Sequence, residues 1–195
     1  AQEEAVNTIL EAAKLKEKRC RALIVAGCLA ERYKDEIIKE IPEVDAVVGT
    51  GSIEDIYEVL ISATRENSGE RPVICRLPGS VDYLEGPRYL SDNNPYKYLK
   101  IAEGCSNCCT YCIIPSLRGR FRSRDIKNVI KEAEMLVQNG AKEIVLIAQD
   151  VTRYGEDLYG EPRLVELLQG ITAVDGLLWV RLLYCYPERI TEGLI

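Results

Sequence analysis

Histidine is absent from the 195 residues. That removes Ser-His-Asp and Cys-His catalysis, Cys2His2 zinc sites and HExxH metalloproteases together. Any catalysis must rest on Cys, Asp, Glu, Lys, Arg, Tyr or a bound cofactor. Long apolar runs are missing too: none approaches the roughly 18 residues that span a bilayer, and no signal-peptide pattern stands at the start. There is no solenoid-period repeat and no low-complexity tract. These absences favour a cytoplasmic protein without a membrane partner. In that compartment thiols stay reduced, so the eight cysteines read as metal ligands or reactive groups and not as disulfides. A formal charge of −6 argues weakly against broad nucleic-acid binding and mildly for a basic protein partner.

What is present is an alternation of helix and strand signals, the mark of an α/β layer with parallel strands. Residues 2–17 carry Val6, Ile9, Leu10 and Ala13 at helical spacing. The runs at 22–27 and 45–49 suit short buried strands. Between them lies a helix with Tyr33, Ile37, Ile38 and Ile41 on one face. Ser52 and Asp55 form an S-x-x-D cap for a helix ending near Thr64, with Ile56, Val59 and Leu60 inward. Residues 65–92 are punctuated by Gly69, Pro72, Pro78, Gly79, Gly86 and Pro87 and read as a linker, with a short strand around 73–77. The expected organisation is therefore 1–64, a linker over 65–92, and a second domain over 93–195.

In the second part the expected elements are a strand at 96–104, a helix from 125 to 139 capped by Ser123 and stopped by Gly140, and a strand at 143–148. A loop over 149–162, a helix from 163 to 174 and a strand at 177–183 follow. Three such strands cannot close a barrel, and the chain starts at Ala1 directly on a helix, so truncation is expected at both ends.

Between strand 96–104 and that helix lies GCSNCCTYC, residues 104–112. Cys105, Cys109 and Cys112 have the spacing C-x3-C-x2-C, with Tyr111 before the last. Three thiolates on a short loop can hold three irons of a 4Fe–4S cluster and leave the fourth open to a ligand. Two back-to-back CxxC pairs, using Cys108 as well, are the zinc alternative. Adjacent Cys108 and Cys109 would strain tetrahedral ligation. A ferredoxin pattern lacks its spacing and remote fourth cysteine. Arg118, Arg120, Arg122 and Arg124 alternate along the following segment. If extended, they point one way, opposite Phe121 and Ser123, toward carboxylates or phosphates. Gln149, Asp150 and Arg153 follow the second strand of this part and Tyr184, Cys185 and Tyr186 the third, on the edge where β/α barrels gather functional groups.

The cysteine spacing directly after a first strand resembles the radical S-adenosylmethionine (SAM) superfamily. YLKIAEGCSNCCTYCIIPSLRGRFRSR is similar to the methylthiotransferases within it. AQDVTRYGEDLYG and WVRLLYCYPERIT resemble the branch that modifies an aspartate of a small-subunit ribosomal protein, and VAGCLAERY the third cysteine motif of that family's first domain.

The resemblance implies the C-terminal part of an α/β Rossmann-like methylthiotransferase domain, followed by the first β/α units of a radical SAM partial TIM barrel. It implies a transferase that adds a methylthio group to an aspartate β-carbon, with an external electron donor. Cys105, Cys109 and Cys112 would hold the radical-generating cluster, Tyr111 would lie near the adenine, and Gln149 and Asp150 would help hold SAM. Cys28 would be one of three ligands of a second 4Fe–4S cluster, the other two lying upstream of this chain. Cys20 fits neither motif. The rival readings are the sister branch acting on a tRNA adenosine, which typically carries a GQNVNSYG-like sequence where this chain has AQDVTRYGEDLYG, and a non-catalytic iron–sulfur or zinc module.

Overall fold

The computed structural model describes residues 2–65 and 71–195. Ala1, Gly69 and the rest of 66–70 in the expected linker lie outside the described residues. The chain divides into two compact units, residues 1–79 with 116–118, and residues 80–115 with 119–195.

The first unit begins with α1 (Gln2–Ala13), which tightens into a 3-10 turn over Lys14–Glu17. Ile9 and Ala13 are buried, whereas Leu10, expected inward, is exposed. Next come β1 (Ile24–Ala26), α2 (Cys28–Glu40), β2 (Ala46–Val48), α3 (Ile56–Thr64) and β3 (Val73–Ile74). The three strands are parallel in the order β1-β2-β3, with Val47 opposite Val25 and Val73. Each is two or three residues long, shorter than the apolar runs that signal them. Ile37 and Ile41 of the α2 region bury against Val25, Val44 and Val47, with Tyr33 and Ile38 packed beside them. Asp45 fixes the edge of this layer: it accepts Leu23 N–H at 2.6 Å and pairs with Lys16 Nζ at 2.6 Å.

The S-x-x-D cap before α3 does not form. Residues Thr50–Asp55 make a 3-10 turn, and Asp55 makes no side-chain capping bond. Ser52 Oγ instead accepts Arg76 N–H at 2.9 Å, and Asp55 pairs with the Arg76 guanidinium at 3.1 Å. The motif is used to hold a crossing segment, because a long-range backbone donor competes for the same hydroxyl. Of the three residues expected inward on α3, only Val59 is buried; Ile56 and Leu60 are exposed.

The second unit contains β4 (Tyr96–Lys100), β5 (Ala102–Glu103), α4 (Ile114–Arg118, which runs into the segment grouped with the first unit), β6 (Arg122–Ser123), α5 (Ile126–Gln138), β7 (Glu143–Ile147), α6 (Glu156–Tyr159), α7 (Leu164–Thr172) and β8 (Trp179–Leu182). The strands β4, β7 and β8 are parallel neighbours in that order. One face buries Leu99, Ile144 and Leu146 against Val129, Ala133 and Leu136 of α5 and Leu164, Leu167 and Ile171 of α7. Each of these valine, leucine and isoleucine side chains, fully buried, contributes roughly 1.5–3 kcal/mol of transfer free energy. Tyr96, Tyr98 and Trp179 stand on the opposite, exposed face, as alternation along a strand requires.

The helix α5 starts differently from expectation. Asp125 is its N-cap, accepting Lys127 N–H at 2.8 Å, while Ser123 donates both its N–H and its hydroxyl to Asp157. Gly140 follows the helix with φ 94°, the left-handed stop that its sequence position predicts.

Candidate active site at the strand ends

The cysteine loop is clamped at its base. Strands β5 and β6 pair antiparallel, Ala102 with Ser123 and Glu103 with Arg122, so residues 104–121 leave and return to one short ladder. Gly104 makes the closure possible. Its φ is 81°, and a Cβ there would sit 2.2 Å from Arg120 O and 2.7 Å from Gly119 O. Only glycine allows both the left-handed backbone and that approach. Cys105 N–H then donates to Gly119 O at 3.1 Å, and Cys112 N–H to Cys109 O at 3.1 Å.

Along the loop, Cys105 is buried, Cys109 and Cys112 are half-buried and Cys108 is exposed; all are free thiols. Cys105 and Cys109 line a cavity of about 580 Å³ together with Asn107, Cys108 and Arg120. Cys112 lies outside that lining. Among the described residues, no three His, Cys, Asp or Glu side chains converge closely enough to hold a single metal ion. The donor chemistry suits an iron–sulfur cluster: free thiols around a cavity, with Asn107 N–H 3.4 Å from Cys105 Sγ. Tyr111 is 91 % exposed. Its ring does not pack the loop and is open to a ligand.

The segments after β7 and β8 meet this loop. After β7, Asp150 is fully buried; its Oδ1 accepts Thr152 N–H at 3.1 Å and the Thr152 hydroxyl, and its Oδ2 accepts Asn107 Nδ2 at 3.1 Å. Arg153 Nη1 donates to Asn107 Oδ1 at 3.0 Å. Both ends of the Asn107 amide are therefore tied to the segment after β7. Gln149 Oε1 is buried with no hydrogen-bond partner among the described residues, an uncommon state that calls for a partner. After β8, Tyr184 O accepts Val151 N–H at 3.1 Å, and the Tyr186 hydroxyl lies 3.7 Å from Cys109 Sγ. That contact with the Cys109 thiol pushes the Tyr186 phenol above its ordinary pKa. Burial first, and the Asp150 charge second, push the Cys185 thiol up.

The arginine series does not form one face. Arg118 closes α4 and Gly119 turns with φ 73°, so the segment is not extended throughout. Arg120 is exposed at the cavity, whereas Arg124 is buried and chelates Glu85 through Nε and Nη2, both at 2.9 Å. Its Nη1 reaches Glu132 Oε2 at 2.7 Å and Lys100 O at 2.8 Å. Burial works against the Arg124 charge, and the bonds to Glu85 and Glu132 outweigh it, so its pKa is raised. Arg124 is a structural cation, unavailable to a ligand. Phe121 and Ser123 are buried.

Asn107 and Thr152 were not legible as site residues. An asparagine between cysteines carries no signal of a partner 43 residues away, and Thr152 gains its role only from the turn that follows β7.

In the first unit, Cys28 is half-buried at the first position of α2, directly after Gly27 with φ 104°. Cys20 bonds Ala22 O at 3.3 Å. Cys75 faces Ala30 O at 4.0 Å, and burial together with the nearby Glu31 charge raises its pKa.

Residues 99–182 match the radical SAM superfamily, and residues 1–49 match the uncharacterized protein family UPF0004. Among curated relatives, the ribosomal protein uS12 methylthiotransferase RimO of Acetivibrio thermocellus is 54 % identical over 199 residues, covering all of this chain and 44 % of the relative. The proteins of the same name from Geobacter sulfurreducens and Clostridium tetani are 51 % and 46 % identical, with all of this chain and 43 % of each relative covered. The chain thus spans less than half the length of the curated relatives it matches. No described helix is long and apolar enough to cross a membrane.

Proposed function

We propose that this chain, a member of the radical SAM methylthiotransferase family, belongs to an enzyme that adds a methylthio group to the β-carbon of an aspartate in ribosomal protein uS12. The observation that carries this reading is the meeting of the segments after the parallel strands β7 and β8 on one cysteine loop, through Asn107–Asp150 and Cys109–Tyr186, with Val151–Tyr184 joining those two segments to each other. The family implies a 4Fe–4S cluster and SAM. Cys105, Cys109 and Cys112 are the residues to hold that cluster, whose chemistry when bound is to supply the electron that splits SAM into methionine and a carbon radical.

The chain's own contribution is placement. The β5–β6 ladder and Gly104 fix where the loop starts and ends. Asn107 holds its middle against Asp150 and Arg153, so Asp150 helps seat SAM through the loop it anchors. Gln149 brings a buried amide oxygen without a partner among the described residues, suited to accept a donor from SAM. Tyr111 offers an exposed ring for the adenine, since an aromatic face stacks on a purine with little geometric demand. Cys28 serves a second 4Fe–4S cluster with two further cysteines. The partition into 1–64, a linker at 65–92 and 93–195 is proposed on the glycine and proline punctuation of 65–92; the division between the two compact units, at 79/80, falls inside that linker. The substrate partner is uS12, the reductant an external electron donor, and the compartment the cytoplasm.

The test is mass spectrometry of ribosomal proteins and tRNA from cells with and without the gene. The mass of a methylthio group on a uS12 aspartate should vanish with the gene. An unchanged uS12 spectrum with a missing tRNA modification would transfer the activity to the adenosine branch.

A further inference from the structure

The contact between Tyr186 and Cys109 joins residues 77 positions apart, and the backbone makes unusual provision for it. Tyr184 is, among the described residues, the one non-glycine with positive φ, at 62°. A bulky side chain there costs of order 1–3 kcal/mol, which persists only where surrounding bonds impose it. They do so here: Val151 N–H fixes the Tyr184 carbonyl at 3.1 Å. On the other side, Pro187–Arg189 form a 3-10 turn with Tyr186 at its N-cap, and Arg189 is held by Glu156. Tyr186 is thus gripped from both sides, with its hydroxyl 3.7 Å from Cys109 Sγ.

Resting on the assignment of Cys109 as a cluster ligand, we propose that Tyr186 is a positioning residue that donates its phenolic O–H to the Cys109 thiolate and thereby sets the reduction potential of the iron–sulfur cluster. A thiolate can only accept, so the phenol is the donor in the ligated state. A hydrogen bond to a ligand sulfur favours the more negative, reduced form and raises the potential. No covalent bond is made or broken.

The test uses the protein as encoded, reconstituted anaerobically, with Tyr186→Phe and Cys109→Ala compared. Iron content is measured, and the midpoint potential is followed on the electron paramagnetic resonance signal that SAM perturbs. Tyr186→Phe should keep its iron and shift the midpoint to more negative values, by up to about tenfold in the one-electron equilibrium, or roughly 59 mV. An unchanged midpoint with full iron overturns the proposal, as does loss of iron, which would make Tyr186 a support for assembly. If Cys109→Ala retains the SAM-responsive signal, the ligand assignment itself fails and the proposal with it. A silent Tyr186→Phe beside an iron-depleted Cys109→Ala removes the proposal alone.

Discussion

Replacing Arg124 with Ala should destabilise the second unit by about 3 kcal/mol. The side chain is 2 % exposed and makes four hydrogen bonds, two to Glu85, one to Glu132 and one to Lys100 O. Breaking a buried ion pair by deleting one partner costs roughly 3–5 kcal/mol, because the remaining charge is left without compensation. Two features place Arg124→Ala at the low end. Glu85 keeps a quarter of its side-chain surface in water, and Glu132 retains Arg88 at 3.2 Å. A loss of that size lowers Tm by on the order of 10 °C. Arg124→Lys keeps the charge but cannot chelate Glu85, so about half the loss is expected. Urea denaturation followed by far-ultraviolet circular dichroism gives the magnitude, and hydrogen exchange on the α5 amides locates it in the second unit. A loss below about 1 kcal/mol, the scale of an exposed pair, would show that the network is not desolvated as described.

Two further outcomes follow from the loop and its neighbours. Gly104→Ala drives a Cβ to 2.2 Å from Arg120 O, whereas Gly140→Ala, at φ 94°, meets nothing within 4 Å. Gly140→Ala should cost about 1 kcal/mol from backbone strain alone, while Gly104→Ala should cost more and reduce the iron bound on reconstitution; equal iron in both variants would refute the clamp. In the metal-free protein at pH 8, iodoacetamide should label exposed Cys108 well before Cys185 and Cys75. The last two thiols have raised pKa values, so their thiolate fraction is small and their rates climb about tenfold per pH unit until the raised pKa is passed. Mass-spectrometric mapping that finds Cys185 labelled as fast as Cys108 would contradict its burial.

The cysteine spacing, the strand alternation and the Gly140 stop were readable because each depends on neighbours in sequence. Spacing along a loop and periodicity along an element are local properties. The failures share a different cause. Ser52, Asp55 and Ser123 have the chemistry of helix caps, but Arg76 and Asp157 compete for them from elsewhere in the chain. Arg124 reads as one of four similar guanidiniums until Glu85 and Glu132 fold onto it. Leu10, Ile56 and Leu60 obey helical periodicity yet are exposed, since periodicity identifies a face without saying what covers it. Asn107, which ties the cysteine loop to Asp150 and Arg153, belongs to the same class of long-range partner.

The central claim is that Cys105, Cys109 and Cys112 hold a cluster with one open iron and that Cys108 is a bystander. It is tested most directly by anaerobic reconstitution of Cys28→Ala protein, which removes a proposed ligand of the second cluster, with Cys109→Ala or Cys108→Ala added. The account predicts that SAM perturbs the cluster spectrum of the Cys28→Ala protein and of its Cys108→Ala derivative, and that Cys109→Ala binds no such cluster. Equal iron loss in the Cys108→Ala and Cys109→Ala derivatives, or a spectrum indifferent to SAM, would contradict it.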